Sequence, residues 1–344
     1  MRRVRHYEYG GPEVLRLEDA PEPVPGPGEL LVRVAAIGVT LPAVRRVRAG
    51  DPAALPAPVG GEVAGEVIGI GPAGDHRAGR EIRIGDRIAG LSFTGSYAEV
   101  VTVPAALATP IPSWASDVLA VALVRSGQVA LGVLAAAAPR PGESVLITGS
   151  ASGVGHLLVQ LAKLRGVHRV VAAASTPDGA TRQGAEAAGS PGLPRAGSAA
   201  GRARSNDKAG FLRGVGADEV VGYADGSWGE PVDVVLDAVG GELLPHALAA
   251  VRAGGRLIFF NSGGGTVAAH ELLAGAKTIT GFTVARFAAT QPDRYRENGD
   301  ELWELARTGR LRPAVHAELP LAQAAEAHRI IESRENLGKV VLRP

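Results

Sequence analysis

Residues 144–166, SVLITGSASGVGHLLVQLAKLRG, constrain the fold of this chain more than any other stretch. An apolar run, Val145 to Ile147, meets small residues and then a helical pattern of Leu157, Leu158, Leu161, Ala162 and Leu164. Strand, tight turn and helix in that order open a phosphate-binding βαβ unit, where backbone N–H groups at the helix start face an anion. The turn reads Ser150-Ala151-Ser152-Gly153-Val154-Gly155 rather than a clean GxGxxG. Gly153 and Gly155 let the helix start lie close to the strand. Ser150 and Ser152 replace two glycines, but both are small and a hydroxyl can donate to phosphate. Many strand–helix turns need glycine for packing alone, so the context decides. Here a second apolar run follows about 20 residues on, and the turn reads as a dinucleotide site.

The neighbouring sequence repeats that grammar. SVLIT (144–148), RVVAAA (169–174), EVVGY (219–223), VDVVLDAV (232–239) and GRLIFFN (255–261) are continuous apolar runs, as expected of a parallel sheet covered on both faces. Helical patterns at 157–166, 207–214 and 242–251 alternate with them, which predicts a doubly wound α/β domain. A longer helical pattern, 118–138, precedes it and ends at Pro139 and Pro141. Before that the chain is β-rich. Short strands at 29–39, 62–71, 81–91 and 95–104, punctuated by Gly and Pro, suggest a small barrel-like domain. After 285 come two helical stretches, 300–309 and 322–333, and a closing strand, KVVLRP. That tail is too short to bury a core of its own, so it is expected to complete the first domain, with the doubly wound domain inserted.

A length of 344 residues agrees with two domains. Net charge is +1, from 36 basic and 35 acidic residues, which gives no reason to expect nucleic acid or an anionic membrane as partner. The chain has no cysteine, which excludes disulfides, thiolate metal sites and a cysteine nucleophile. The N-terminus, MRRVRHYEYGG, has basic residues without an apolar region behind them and does not read as a secretory signal. No run is read as a membrane helix, which needs about 18 apolar residues. A soluble cytoplasmic protein is the expectation.

The second strand ends Ala174-Ser175-Thr176. NAD enzymes usually place a carboxylate there to accept from the ribose 2′-OH. Without one, a 2′-phosphate meets no repulsion, the hydroxyls can donate to it, and Lys208 can add charge; NADP is favoured, with Asp178 keeping NAD open. Residues 177–204 are dominated by Gly, Ala, Pro, Ser and Arg and have Leu193 as their one large apolar residue, so a mobile loop is expected. Its arginines either contact a phosphate or decorate an inert insertion. The letters Thr148-Gly149-xxx-Gly153-x-Gly155 also match the turn of short-chain dehydrogenases. That chemistry needs a Tyr with a Lys four residues on, and Tyr7, Tyr9, Tyr97, Tyr223 and Tyr295 are followed there by Gly11, Glu13, Val101, Ser227 and Gly299.

The stretches YGGPEVLRLEDAPEPVPGPGELLVRVAAIGV, GGEVAGEVIGIG, GDRIAGL, GSYAEVVTVP, GADEVVGY, VDVVLDAVGGE and LGKVVLRP, in this order around the turn, carry a resemblance over nearly the full length. The chain resembles the zinc-free quinone oxidoreductase branch of the medium-chain dehydrogenase/reductase superfamily. The resemblance implies an α/β fold: a GroES-like β-barrel domain formed by 1–122 and 287–344, and a Rossmann doubly wound parallel-sheet domain over 123–286. The catalytic His of the zinc-dependent members, in their GHE motif, corresponds to Gly61 of Gly60-Gly61-Glu62, and 72–84 is too short for a structural zinc loop. The eight histidines show no HxxxH spacing, so no metal is expected.

The resemblance further implies NADPH and a set of contacts. Ser126 and Gly127 approach the nicotinamide and phosphates, and Ser150, Ala151, Ser152, Gly153, Val154 and Gly155 hold the pyrophosphate. Ser175 and Lys208 take the 2′-phosphate, with Ser205 as an alternative to Ser175, and Tyr223 lies on the adenosine side. Asp237, Ala238, Val239 and Gly240, with Phe260, Asn261 and Ser262, line the nicotinamide ribose, and Asn336, Leu337 and Lys339 form a C-terminal clasp. Thr40 stands where quinone-type members often carry Asn and is either an orienting hydroxyl or a packing residue. Gly50-Asp51-Pro52 lacks the Tyr proposed as proton donor in enoyl reductases, so the proton comes from solvent or another donor. The implied activity is hydride transfer from NADPH to a quinone or an α,β-unsaturated carbonyl or enoyl substrate. The alternatives are a non-catalytic NADPH-binding protein and a tailoring enzyme of a biosynthetic pathway. A homodimer through 278–284, TITGFTV, is the oligomer the family implies.

Overall fold

In the computed structural model, residues 1–72, 82–92, 95–175, 207–260 and 263–344 are described. Thr176, the segment 177–204, Ser205, Asn261 and Ser262 lie outside them. The chain divides into two compact units: Met1–Arg125 with Gly299–Glu304 and Val315–Pro344, and Ser126–Asn298 with Leu305–Ala314.

The second unit is built on a six-stranded parallel sheet. Across the sheet its strands run Glu219–Gly222, Arg169–Ala174, Ser144–Thr148, Val232–Asp237, Val251–Phe259 and Thr278–Gly281. Numbered along the chain, that order is 3-2-1-4-5-6, the order of dinucleotide-binding sheets. Val145, Leu146, Ile147, Val170 to Ala173 and Val234 to Leu236 are fully buried, because helices cover both faces. This is why the strands read as unbroken apolar runs rather than alternating ones. The fifth strand begins at Val251, earlier than its apolar signal, since Arg252, Ala253 and Gly254 are exposed. Helix Ala269–Gly275 buries none of its residues and so has no apolar stripe to read.

Helix Asp117–Ala137 carries the division between the units at Arg125 and Ser126. It corrects one expectation. By length and composition it is apolar enough to cross a membrane, yet 83% of its apolar window is buried inside the protein. A single Arg in a run rich in Ala, Val and Leu is what a core helix of this low-aromatic chain looks like.

The first unit is organised by one long strand, Glu29–Val39. It pairs antiparallel with Glu62–Ile70, with Val100–Pro104 and with the chain's last strand, Lys339–Arg343. Val340 opposite Val39 and Leu342 opposite Ile37 bring the tail into the same core as Val32, Val63, Val67, Ile88 and Tyr97. Arg87–Leu91, Thr109–Pro110 and Val315–Pro320 complete this seven-stranded sheet. A separate three-stranded sheet sets Arg2–His6 between Arg16–Asp19 and Ala57–Pro58.

Candidate nucleotide-binding site

In an open α/β sheet a ligand crevice forms outside the strand C-termini where the strand order reverses. Here that point lies between Ser144–Thr148 and Val232–Asp237. Thr148 Oγ1 donates to Asp237 Oδ1 at 2.6 Å and accepts from the Ala238 amide at 2.9 Å. The Asp237 carboxylate also accepts from the amides of Val239 and Gly240, at 3.1 Å each. Both Thr148 and Asp237 are fully buried. Asp237 therefore closes the turn beneath the crevice, contrary to the expectation that its side chain lines a ribose. Ala238 and Val239 are the half-exposed residues of that turn, while Gly240 is buried.

The glycine-bearing turn is equally specific. A Cβ on Gly155 would sit 2.1 Å from the Gly149 carbonyl oxygen and 2.6 Å from Ser150 Cα, so no larger residue lets the helix Gly155–Leu164 begin here. Gly149 itself has φ +64°, in the left-handed region. The Ser150 hydroxyl is buried and donates to the Ile147 carbonyl at 2.6 Å, which removes it as the phosphate donor expected from sequence. Ala151 is buried beside it. Ser152 Oγ accepts from the Gly155 amide at 3.1 Å, just ahead of the helix, leaving its proton to donate. Ser152, Gly153 and Val154 are half-exposed and form the open face of the turn.

Two side chains that the sequence reading did not single out hold this helix start. The Ala314 amide donates to His156 Nε2 at 2.9 Å, so Nδ1 carries the proton and donates to the Ser152 carbonyl at 2.7 Å. Gln160 exchanges hydrogen bonds with the backbone of Arg312, at 2.9 and 3.1 Å. The signal was present: two polar residues spaced i, i+4 in a helix otherwise apolar up to Lys163.

At the end of the second strand, Lys208 Nζ donates to the Ser175 carbonyl at 2.9 Å and to Ser175 Oγ at 2.6 Å. The sequence reading named both residues, and the fold brings them together across 33 positions. Lys208 opens helix Lys208–Gly214, whose first turn is capped by Asp207 through the Gly210 amide at 2.6 Å. Tyr223 accepts from the Gly149 amide at 2.7 Å, which ties the tyrosine expected on the adenosine side directly to the turn. Phe260 is half-buried and its amide donates to the Asp237 carbonyl. Ser126 and Gly127 are buried, and the Ser126 hydroxyl has no hydrogen-bond partner among the described residues. Every one of these residues belongs to the second unit.

The remaining candidates lie in the first unit. Thr40 Oγ1 accepts from the Ala43 amide and caps helix Leu41–Arg48. Asp51 caps its own turn through Ala53, and its carbonyl accepts from the Tyr9 hydroxyl at 2.7 Å. Asn336 donates to the Gly338 carbonyl and the Leu337 amide to His316 Nδ1; both residues are half-buried. Lys339 departs from the clasp reading, because its ammonium is buried against the Glu62 carboxylate. Burial holds its pKa down, Glu62 opposes that, and the neighbouring Arg125 charge adds to it.

The turn, the acid-free strand end with its lysine, and the orphaned Ser126 hydroxyl fit a phosphorylated dinucleotide. Among the described residues no group of three His, Asp or Glu could hold a metal ion. Residues 26–113 match the alcohol dehydrogenase GroES-like domain, and 215–342 match the zinc-binding dehydrogenase domain. A quinone oxidoreductase of Pseudomonas aeruginosa is 28% identical, over 100% of this chain and 99% of that protein. The structure of mycobacterial Rv1454c complexed with NADPH is 30% identical, covers 100% of both chains and superposes with a TM-score of 0.84. That of Escherichia coli quinone oxidoreductase complexed with NADPH gives 25%, 100% of both chains and 0.83.

Proposed function

Because this chain belongs to the zinc-free quinone oxidoreductase branch of the medium-chain dehydrogenase/reductase superfamily, we propose that it is an NADPH-dependent, metal-independent reductase of quinones or α,β-unsaturated carbonyl compounds. The observation that carries the cofactor choice is the Lys208–Ser175 pair at a strand end without a carboxylate. The Ser152–Val154 face holds the pyrophosphate on backbone amides and the Ser152 hydroxyl. Ser175 and Lys208 hold the 2′-phosphate, and Tyr223 flanks the adenosine side. Ala238, Val239 and Phe260 line the ribose crevice, and Ser126 and Gly127 stand at the nicotinamide end. NADPH, when bound, supplies a hydride that combines with one proton and the acceptor to give NADP⁺ and the reduced product.

What the chain contributes is position. An enone or quinone is already electron-poor and needs no Lewis acid, so orienting the reactants and excluding water supply most of the rate. Thr40 caps a helix and still has a proton to donate, and we assign it an orienting role. The substrate is a small molecule, and we place the protein in the cytoplasm as a homodimer. The sixth strand, Thr278–Gly281, supports the dimer: it is the sheet edge, with Thr278, Thr280 and Gly281 exposed and Leu273 84% exposed nearby. Light scattering reports its mass directly.

The activity test is loss of NADPH absorbance with a panel of quinones and enones. Oxidation that is faster with NADPH than with NADH is expected. Tight NADPH binding without turnover on any acceptor identifies a non-catalytic binding protein instead.

A further inference from the structure

Within the second unit, the phosphate turn keeps two backbone donors open and holds one carbonyl tightly. The amides of Gly149, Ser150, Ser152, Gly155 and His156 donate to Tyr223 Oη, the Ala173 carbonyl, the Gly149 carbonyl, Ser152 Oγ and the Ser152 carbonyl respectively. Among the described residues the amides of Gly153 and Val154 have no acceptor, and both residues are half-exposed. These are the donors that the turn can offer a pyrophosphate.

Their aim depends on one peptide plane. In a trans peptide the carbonyl and the following N–H point in opposite directions. The Ser152 carbonyl and the Gly153 N–H share such a plane, so a carbonyl held back along the helix turns the Gly153 N–H outward. A flipped plane would aim an oxygen at the anion instead, and glycine tolerates both arrangements. The backbone amide of His156 reaches the Ser152 carbonyl at 3.3 Å, whereas its side-chain Nδ1 donates to the same oxygen at 2.7 Å. The imidazole is thus the stronger hold on that plane.

The ring itself is fixed. It is fully buried and lies 6.1 Å, centroid to centroid, from Phe211 of helix Lys208–Gly214. The Ala314 amide donates to Nε2 at 2.9 Å, which keeps the proton on Nδ1. A leucine, like the buried neighbours Leu157 and Leu158, would occupy the helix here without a polar group to satisfy. What the histidine adds is a donor aimed at one carbonyl.

We infer that His156 is a positioning residue of the cofactor site: it fixes the Ser152–Gly153 peptide so that the Gly153 amide faces the pyrophosphate. This rests on the NADPH-dependent reductase reading and deepens it. Both nicotinamide dinucleotides carry the pyrophosphate, so His156 governs affinity for NADPH and NADH alike, whereas Lys208 acts on NADPH alone.

The test is calorimetric titration of the full chain with NADPH and with NADH, set beside the melting temperature of the cofactor-free protein. His156→Asn keeps a donor at the δ position for the Ser152 carbonyl and loses the acceptor for Ala314. His156→Gln keeps an acceptor at the ε position and loses the donor. Each variant gives up one buried hydrogen bond, so a similar fall in melting temperature is expected of both. Affinity separates them. His156→Gln weakens both nucleotides about tenfold, as for one hydrogen bond, and His156→Asn stays within about threefold of wild type. Equal weakening in the two variants marks a merely structural histidine and overturns the proposal. Should neither variant fold, the wild-type chain decides: the Gly153 amide proton resonance moves downfield on adding NADPH, and one that stays in place overturns the proposal. A wild-type chain that binds neither nucleotide sinks the reductase reading and this proposal with it, whereas wild-type affinity in His156→Gln sinks this proposal alone.

Discussion

Replacing Lys339 with methionine tests whether this residue holds the first unit together or clasps a cofactor. Its ammonium and the Glu62 carboxylate are both at most 4% exposed. Removing one partner of a buried pair costs about 3–5 kcal/mol, because the other charge is left uncompensated. Arg125, 3.0 Å from the second Glu62 oxygen, retains part of the compensation, so we expect the lower end, about 3 kcal/mol. For a domain of this size that lowers the melting temperature of the first unit by roughly 6–12 °C. Scanning calorimetry of Lys339→Met reads the shift. The double variant Glu62→Gln with Lys339→Met recovers much of it, because no carboxylate is then left buried beside a methionine. A melting temperature within about 2 °C of wild type, with a raised KM for NADPH, refutes this reasoning and restores the clasp.

Three further outcomes follow from the geometry. Lys208→Ala raises KM for NADPH about 10–100-fold with little change for NADH, the loss expected for a charged donor on a phosphate; an equal loss for both cofactors in steady-state kinetics counts against the 2′-phosphate assignment. Gly155→Ala forces the Gly149 carbonyl away from a Cβ that would sit at 2.1 Å and abolishes measurable NADPH binding, whereas Gly214→Ala, with open space around its Cβ, is tolerated in the same fluorescence titration. Burial pushes the pKa of His328 down to about 4 from an ordinary 6.5, and its Nε2 pairs with the buried Tyr97 hydroxyl at 3.0 Å. The unfolded chain therefore takes up this proton first as pH falls. The contribution of His328 to stability is level above pH 7 and declines between about 6.5 and 4 by on the order of 3 kcal/mol. Denaturant midpoints across that range flatten in His328→Gln.

Much of the second unit was legible because its sheet is covered on both faces. Leu146, Val171 and Val235 are fully buried at the middle of unbroken apolar runs, and such runs are visible without any alignment. The strand Arg2–His6 was not legible: only Val4 and His6 point inward, and the surrounding arginines read as an exposed tail. Helix Leu41–Arg48 was hidden for a similar reason, since its stripe is Ala43, Val44 and Val47 among three arginines. Pro292–Arg307 shows its helical pattern only in the second half, after a polar opening turn.

At the site, residue types were readable and side-chain directions were not. Ser150 and Ser152 look equivalent on paper, but one hydroxyl turns back to Ile147 and the other accepts from the Gly155 amide. Asp237 is claimed by Thr148, 89 positions away, and Lys339 by Glu62, 277 positions away. No local pattern encodes partners that distant. Lys208 and Ser175 were found because both flank elements whose ends the pattern marks.

Calorimetric titration of the full chain with NADPH, set against NADH, bears most directly on the account. It predicts saturable one-site binding that is tighter for NADPH, and a stabilisation of about 2.7 kcal/mol at a hundredfold excess over Kd. No heat and no rise in melting temperature with NADPH, or an affinity for NADH as high, contradicts it.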